Sequence, residues 1–264
     1  MIKSPLRYPG GKSKAIGSIS ALIPEFREFR EPMVGGGSVF LHCRQQFPDA
    51  VFWINDIYPQ LFHFWQQTGE NAEVVLAQIL KWKSEFQEGR DLHRFLTEQM
   101  PHFDPARQAA AFFILNRITF SGTAESGGFS NQAFQKRFTD SSIRRLEQLP
   151  PLLQGVKITN LDYEKVVTEP GEDVFIFLDP PYFSATKSAL YGKNGQLHKN
   201  FDHERFAAVM RACPHRWLIT YDDDPFVREL FSFANISTWQ LTYGMRNVNE
   251  TSSQRARELF IRNY

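Results

Sequence analysis

The chain has few of the features that mark secreted or membrane proteins. It contains only two cysteines among 264 residues, Cys43 and Cys213, and neither belongs to a CxxC or Cys/His spacing. This pattern indicates reduced thiols rather than a disulfide or a zinc site. No run approaches the roughly 20 uninterrupted apolar residues of a membrane-spanning helix, and residues 1–5 lead into a polar, glycine-rich segment rather than the apolar part of a signal peptide. We therefore predict a cytoplasmic protein that does not bind a membrane.

The chain also lacks an excess of charge of either sign. A net charge of +1 at pH 7 excludes a uniformly basic, histone-like polymer binder, although it permits a local basic face. Hydrophobic residues make up 42% of the chain, which is enough to bury a full core as one large domain or as a core domain with an insert. Any nucleic-acid surface must therefore be confined to a patch.

Apolar runs near both ends of the chain predict an α/β fold. On the amino side, residues 29–34 and 51–54 read as short strands that end in Gly or in Asn-Asp. On the carboxyl side, strands are predicted over 156–159, 174–178, 217–221, 236–242 and 259–261. Together they suit one doubly wound, mostly parallel sheet.

The middle of the chain has helical rather than strand periodicity. Apolar residues recur at helical spacing in two stretches: Val75, Ile79, Trp82 and Phe86, then Phe112, Leu115 and Ile118. About 100 residues between the second and third strands are too many for a simple crossover. We predict a core formed by residues 1–60 and 154–264, with an inserted, mainly helical domain over 61–153.

Asp179-Pro180-Pro181-Tyr182 directly follows the apolar run 174–178. A run without polar alternation predicts a strand covered on both faces, and ligands of parallel sheets bind beyond the carboxyl ends of the strands. Two prolines restrict the backbone around Asp179. The tetrapeptide therefore presents a stiffly held carboxylate and an aromatic ring, although an ordinary strand-to-loop turn is the alternative.

The amino-terminal segment resembles a phosphate-binding loop only in part. Gly11-Lys12-Ser13 matches the end of the pattern, but Leu6 occupies the position of its first glycine and no apolar strand precedes it. This argues against an NTPase. What remains is a glycine pair that allows close backbone approach, with Tyr8 and Lys12 beside it. The alternative is a simple turn with a solvated lysine.

Three consecutive glycines, Gly35-Gly36-Gly37, end the first predicted strand and open a predicted helix. The spacing is not GxGxxG, but the glycines would let a ligand lie against the main chain. The next strand ends at Asp56, where nucleotide-binding sheets place the acid that accepts the ribose hydroxyls. The alternative for Asp56 is the N-cap of a helix over 57–67, and the two roles are compatible.

Taken together, these blocks resemble the Dam-like (D12 class) DNA adenine-N6 methyltransferases, which use S-adenosylmethionine. The matching blocks follow the family's order, with a closing element at Tyr243-Gly244. They are Arg7-Tyr8-Pro9-Gly10-Gly11-Lys12, Glu31-Pro32-Met33-Val34-Gly35-Gly36-Gly37-Ser38-Val39-Phe40, Asn55-Asp56, Leu115-Asn116-Arg117 and Asp179-Pro180-Pro181-Tyr182. The last block alone is loose, since enzymes acting on RNA, protein glutamine or cytosine N4 carry similar tetrapeptides. The resemblance implies a Rossmann-like methyltransferase core with a target-recognition insert.

The resemblance also implies roles for individual residues. S-adenosylmethionine would be the cofactor, S-adenosylhomocysteine the product, and no metal would be needed. The residues implied in cofactor binding are Tyr8, Lys12, Gly35, Gly37, Asp56, Asp162 and Asp179. Asp179, Pro180 and Tyr182 would handle the target adenine. The Asp179 carboxylate and the Pro180 carbonyl oxygen would accept the two N6 hydrogens and aim the nitrogen lone pair at the methyl group.

The expected partner is double-stranded DNA, from which the target base must be extruded at a cost of a few kcal/mol. Tyr182 would stack on the extruded base. The resemblance implies DNA contacts by Arg117, Phe120, Ser121 and Thr123, with Arg117 on phosphate and Phe120 inserted between base pairs. Arg7 is a further candidate for a DNA contact, because its neighbours Tyr8 and Lys12 would lie beside the cofactor. Arg137 would belong to a phosphate-facing patch with Lys136, Arg144 and Arg145, although charge clusters on helices are usually only solvated.

Other features stay open at this level. Residues 124–130 depart from the arginine- and asparagine-rich loop of the GATC-methylating members, so GATC is not implied. The polar segment 191–199, with His198 and Lys199, is interpreted either as a lid or as a plain mobile loop. We expect a monomer, either alone or accompanied by a cognate restriction endonuclease. The alternative functions are a catalytically inactive S-adenosylmethionine- and nucleic-acid-binding module and an RNA adenine methyltransferase.

Overall fold

Seven strands form one sheet in the computed structural model, which describes residues 1–8, 10–122, 127–184, 201–241 and 256–264. The strands are β1 (Glu28–Glu31), β2 (Val51–Asn55), β3 (Lys157–Thr159), β4 (Val174–Leu178), β5 (Arg216–Asp222), β6 (Asn235–Leu241) and β7 (Ala256–Arg262). Their order across the sheet is β3-β2-β1-β4-β5-β7-β6. The first five are parallel, and β7 is antiparallel to both of its neighbours. The predicted doubly wound, mostly parallel sheet is confirmed.

The strand order changes direction between β1 and β4, which lie side by side. A crevice opens beyond the carboxyl ends of the strands at such a switch point, and ligands of these sheets bind there. β1 is shorter than predicted because Glu31 is followed by Pro32, which has no N–H for the ladder. β7 is longer than predicted, since its first three residues, 256–258, also pair with β6. Within the described ranges, every helix is too short or too polar to cross a bilayer.

Helices cover both faces of the sheet. α1 (Ile16–Ser20) precedes β1 and α2 (Ser38–Gln46) connects β1 to β2. The described residues of the predicted insert are mainly helical: α3 (Pro59–Glu70), α4 (Ala72–Glu85), α5 (Gly89–Gln99), α6 (Pro105–Ile118), α7 (Asn131–Arg137), α8 (Asp140–Glu147) and α9 (Pro150–Leu153). They are followed by α10 (Tyr163–Thr168), α11 (His203–Ala212) and α12 (Pro225–Leu230). Short 3-10 helices lie at Lys12–Lys14, Met100–His102 and Phe120–Gly122.

Alternate residues of β4 belong to the cores on opposite faces of the sheet. Phe175 and Phe177 pack in one core, while Ile176 and Leu178 pack in the other, as expected because successive side chains of a strand point to opposite sides. The first core continues without interruption into α6, all of whose residues from Ala109 onward are buried. The helical stretch is thus joined to the sheet by shared core, and its treatment as a separate domain over 61–153 stays a prediction.

The turn between β1 and α2 requires glycine for two reasons. Gly35 and Gly37 have positive φ angles of 48° and 66°, a conformation that costs other residues free energy. A Cβ at Gly37 would lie 2.6 Å from Cζ2 of Trp65, and one at Gly35 would lie 2.8 Å from Cε1 of Tyr8. The Trp65 indole N–H also donates to the Gly35 carbonyl oxygen at 3.1 Å. Both the backbone angle and the neighbouring rings therefore exclude a side chain.

Replacing Gly37 by alanine tests this constraint. We expect Gly37→Ala to lower the free energy of unfolding by about 2–4 kcal/mol, because positive φ and displacement of the Trp65 ring both cost free energy. Urea unfolding would measure the change. Gly17→Ala in α1 is the matched control, since no described atom lies within 4 Å of its added Cβ, and it should leave stability unchanged or raise it by about 0.5–1 kcal/mol. Equal losses in both variants would contradict the explanation.

Candidate active site

The Asp179 carboxylate is held from two sides just beyond the end of β4. Lys12 Nζ lies 2.7 Å from Oδ2, and the Thr220 hydroxyl of β5 donates to Oδ1 at 2.7 Å. Lys12 is 4% exposed and also donates to the Gly10 carbonyl oxygen at 2.8 Å. The structure thus brings together two residues that the sequence singled out separately. Because each Asp179 oxygen has one donor here, each retains a lone-pair direction for a further hydrogen bond.

The Tyr182 ring is fixed by contacts to its hydroxyl and its faces. The hydroxyl donates to Oε2 of Glu258 on β7 at 2.8 Å. The ring stacks on Tyr221, with centroids 6.0 Å apart and planes 24° from parallel, and Lys12 Nζ lies 5.0 Å from its centroid. Burial, with the negative charges of Asp179 and Glu258, raises the pKa of Tyr182 well above its ordinary value. The hydroxyl therefore stays protonated and remains a donor.

The backbone after Tyr182 is held by the last residue of β5. The Asp222 carboxylate accepts the backbone N–H of Phe183 at 3.0 Å and that of Ser184 at 2.8 Å. Asp222 and Glu258 are directly opposite each other in the β5–β7 ladder. The sequence analysis did not single out Thr220, Asp222 or Glu258. The available signal was weak: polar residues at the end of one predicted strand and immediately before another.

Asp56 joins the glycine turn to the end of β2. Its Oδ2 accepts the Gly35 N–H at 3.0 Å and its Oδ1 accepts the Tyr58 N–H at 3.0 Å. It is not the N-cap expected as an alternative, because α3 begins at Pro59 and Tyr58 occupies the N-cap position. Burial raises the pKa of Asp56 to about 6. Its ribose contact stays a prediction.

Hydrogen bonds also join the ends of β2 and β3. The Asn160 side chain donates to the Asp56 carbonyl oxygen at 2.7 Å, and the Leu161 N–H donates to Asn55 Oδ1 at 2.8 Å. Ile57 is 51% exposed and Leu161 39% exposed, so each of these segments carries an apolar side chain on the surface. The sequence analysis missed both. Asp162, expected near a cofactor, caps α10 through the Glu164 N–H and pairs with Arg205.

Two polar side chains of α6 bind the amino-terminal segment. Asn116 Oδ1 accepts the Arg7 N–H at 2.8 Å, and Asn116 Nδ2 donates to the carbonyl oxygens of Arg7 and Gly122, each at 2.8 Å. Arg117, which is 5% exposed, donates to the carbonyl oxygens of Pro5 and Arg137, each at 2.9 Å. Arg117 is therefore buried, with its side chain bound to main-chain oxygens. Its DNA contact stays a prediction.

Arginines surround this junction and repel one another. Burial, together with the positive charges of Arg145, Arg7 and Arg137, lowers the pKa of Arg117 to about 9. Burial and Arg137 likewise lower the pKa of Arg7, whose Nη1 donates to the Thr119 carbonyl oxygen at 3.2 Å. The result is a local basic patch on a chain of almost balanced charge.

Of the other residues expected at DNA, Phe120 is 61% exposed. Ser121 lies in the 3-10 helix Phe120–Gly122. Thr123 lies outside the described residues, as do residues 124–126 of the expected base-reading loop, the segment 191–199 and Tyr243-Gly244. Cys43 and Cys213 are buried free thiols. The described part of the chain contains no group of three His, Cys, Asp or Glu side chains arranged to hold a metal ion.

Comparison with known families identifies the type of enzyme to which this site belongs. A sequence model of the D12 class N6 adenine-specific DNA methyltransferase family matches residues 8–245, which include the Lys12–Asp179 pair and Tyr182. The chain belongs to this family. As a member, it is an adenine-specific DNA methyltransferase, and its reaction takes place on DNA.

Individual relatives of the methyltransferase match at low identity but over much of their length. The Type II methyltransferase M1.LlaDCHI of Lactococcus lactis subsp. cremoris is 24% identical over 98% of this chain and 94% of its own. A DNA adenine methylase of Vibrio cholerae is 26% identical over 72% of this chain and 70% of its own. The Type II methyltransferase M.MjaIII of Methanocaldococcus jannaschii is 23% identical over 81% of each chain. The resemblance seen in the sequence blocks is confirmed.

The raised pKa of Asp56 makes stability depend on pH. Because the folded pKa of about 6 lies above the ordinary value of 3.8, the stability that Asp56 contributes is present at low pH and is lost as pH rises through 6. We expect Asp56→Asn, which cannot ionise, to gain about 2 kcal/mol relative to the wild type between pH 4 and pH 8. Urea unfolding at both pH values would measure this difference.

The comparison of the two proteins isolates Asp56 from other titrating groups. Burial lowers the pKa values of His42 and His203, so these histidines stabilise the fold as pH rises and act in the opposite sense. Both proteins contain them, and their contribution cancels in the difference. Parallel pH curves for wild type and Asp56→Asn would show that Asp56 is ionised in the fold throughout this range.

Proposed function

We propose that the enzyme transfers a methyl group from S-adenosylmethionine to N6 of an adenine extruded from duplex DNA. The observation that carries the proposal is the arrangement at the end of β4. There the Asp179 carboxylate is fixed by Lys12 and Thr220, and the Tyr182 ring lies beside it, held through Glu258 and Tyr221. A rigid acceptor and a rigid aromatic face together suit a planar base with an exocyclic amine.

The chemistry requires the amine to become a better nucleophile. The lone pair on N6 of adenine is delocalised into the ring, so the nitrogen must become more pyramidal before it attacks. An Asp179 oxygen and the Pro180 carbonyl oxygen accepting the two N6 hydrogens would favour that geometry. Since Lys12 and Thr220 already hold the carboxylate, little reorganisation is needed when the base arrives.

The described residues fit a nucleoside-containing cofactor at the ends of β1, β2 and β3. When bound, S-adenosylmethionine supplies a methyl group already activated by a positively charged sulfur. The surface side chains of Ile57 and Leu161 offer apolar contact to an adenine ring, and Asp56 lies between their segments and the glycine turn. Tyr8 lies against the Gly35 turn and Lys12 binds Asp179, so these two residues line the surface between the turn and the carboxylate. Asp162, which also binds Arg205, lies at the end of β3 on the same edge.

Features around α6 support duplex DNA as the polymer. Phe120 presents an aromatic ring that is 61% exposed, and apolar wedges of this kind help open a base step. The arginine patch of Arg7, Arg117, Arg137 and Arg145 lies next to it. Positive charge at this position would attract the phosphate backbone. Tyr182 would then repay part of the cost of extrusion, since base–aromatic stacking contributes about 1–3 kcal/mol.

Label transfer with and without Asp179 tests the proposal. We expect wild-type protein incubated with tritiated S-adenosylmethionine to place label in N6-methyladenine of plasmid DNA, and not in RNA or protein offered in parallel. Asp179→Ala should reduce transfer by at least about 1000-fold, because it removes the acceptor from the transition state. Nucleoside analysis of the digested polymers would identify the methylated base.

The matched control is Asp224→Ala, another aspartate near the same edge of the sheet. Its side chain caps α12 by accepting the Phe226 N–H, so this variant should lose about 1 kcal/mol of stability and keep its transfer activity. Label in RNA alone would favour an RNA methyltransferase. Cofactor binding without label in any polymer would favour an inactive binding module, and an active Asp179→Ala enzyme would refute the role of that carboxylate.

Removing the exposed ring at position 120 tests base opening. We expect Phe120→Ala to slow methylation of a fully paired duplex by about 10-fold or more, and to slow it much less when the target adenine faces a mismatch, because a mismatched base costs less to extrude. Single-turnover methylation of both duplexes would measure the ratio. Leu80→Ala, which removes a side chain that is 49% exposed on α4, is the control. Equal slowing on both duplexes would argue against a wedge.

A further inference from the structure

Glu258 is a buried acid on β7, and the three residues that follow it on this strand are apolar. It is 1% exposed and is followed on β7 by Leu259, Phe260 and Ile261, all of which are core residues. Its ladder partners are Asp222 on β5 and Trp239 on β6. Burying a carboxylate costs free energy, and an apolar side chain of similar volume is often better for stability. Stability alone therefore does not account for an acid at this position.

Glu258 contacts the segment that follows Asp179. Its Oε2 accepts the Tyr182 hydroxyl at 2.8 Å. Its Oε1 is buried and has no hydrogen-bond partner among the described residues. The same ladder position on β5, Asp222, holds the backbone N–H groups of Phe183 and Ser184. Neighbouring residues of β5 and β7 thus hold the segment after Asp179, one by its backbone and the other by its aromatic side chain.

The polar and charged groups around Glu258 come from three parts of the chain: the 3-10 helix that contains Lys12, the segment after β4 and the end of β5. The pKa of Glu258 is raised to about 7. Burial is the main cause and the charges of Asp179 and Asp222 add to the rise, while Lys12 and the hydrogen bond from Tyr182 oppose it. Glu258 therefore changes between its neutral and charged forms near neutral pH. In the charged form it accepts a stronger hydrogen bond, because bonds to an ionised acceptor are shorter and about twice as strong.

We propose that Glu258 is a positioning residue for methyl transfer: by accepting the Tyr182 hydroxyl it fixes the angle of the ring on which the extruded adenine stacks. Tyr182 cannot be held by stacking on Tyr221 alone, since stacking allows the ring to slide and tilt, whereas a hydrogen bond at the far end of the ring removes that freedom. The role assigned to the ring rests on the proposed function. The pairing of Glu258 with Tyr182 does not.

A double-mutant cycle separates action through Tyr182 from a general structural role. Glu258→Leu should lower the single-turnover methylation rate about 10- to 30-fold, because a hydrogen bond to a charged group is lost. Tyr182→Phe should lower it by a similar factor, and adding Glu258→Leu to Tyr182→Phe should lower it less than about twofold more. Glu258→Gln, which can still accept the hydroxyl, should recover part of the loss. Affinity for S-adenosylmethionine should be unchanged in all four.

Tyr264→Phe is the matched control for loss of a tyrosine hydroxyl. The Tyr264 hydroxyl donates to the Leu22 carbonyl oxygen at 2.5 Å, and its ring packs on Phe175 at the start of β4. This variant deletes an equivalent hydrogen bond at the opposite end of the sheet and should leave the rate unchanged. Equal slowing in Tyr264→Phe and Tyr182→Phe would show that general destabilisation causes the loss.

A second measurement needs no methyl transfer. In free enzyme carrying ring-labelled ¹³C-tyrosine, the NMR signal of Tyr182, identified by its absence in Tyr182→Phe, should shift with pH around 7. The shift should disappear in Glu258→Gln. A Tyr182 signal at the same position in both proteins at every pH would overturn the pairing even if the enzyme methylates DNA. The pairing survives if the label experiment fails.

Additive losses in the double-mutant cycle would overturn the positioning role, as would full activity of Glu258→Leu. If Glu258→Leu does not fold, the isosteric variant Glu258→Gln tests the positioning role instead. The wild-type rate should then rise more steeply between pH 6 and pH 8 than that of Glu258→Gln, and this difference should vanish in the Tyr182→Phe background. A difference that persists without the tyrosine hydroxyl would refute the proposal.

Discussion

The ion pair between Lys12 and Asp179 is the contact on which the arrangement of the site depends. Removing two charges from water costs free energy, and the cost is recovered only when further hydrogen bonds complete the pair. Here Lys12 also donates a hydrogen bond to the Gly10 carbonyl oxygen, and Asp179 also accepts one from the Thr220 hydroxyl. The pair attaches the amino-terminal segment to the end of the central strand β4. It therefore also sets where the Tyr8 ring lies against the Gly35 turn.

The amino-terminal segment connects the helical part of the chain to the chemistry at the sheet. At one end it is bound by Asn116 and Arg117 of α6, and at the other by Asp179. α6 ends beside Phe120 and the arginine patch. The short segment 5–12 therefore contacts both the part of the chain expected to bind DNA and the carboxylate expected to bind the target base.

Some of this arrangement was predictable because its signals are local. The uninterrupted apolar run before Asp179 predicts a buried strand, and the three glycines at 35–37 predict a tight turn into a helix; both are confirmed. Other features depend on distant partners. The Asn-Asp ending of β2 suggests a helix cap for Asp56, yet its carboxylate binds Gly35, 21 residues earlier. The burial of Arg117 likewise could not be predicted, because it follows from how α6 packs against the amino-terminal segment.

By itself the sequence determined the succession of strands and helices along the chain, the place of the glycine turn and the position of the Asp179 tetrapeptide. These features are local, because hydrophobic periodicity, glycine and proline act over a few residues. Only the tertiary structure decided which groups those residues meet. Lys12 and Asp179 are 167 residues apart, and Tyr182 and Glu258 are 76 apart. Their contact depends on which strands lie side by side, and periodicity along one chain carries no information about that order.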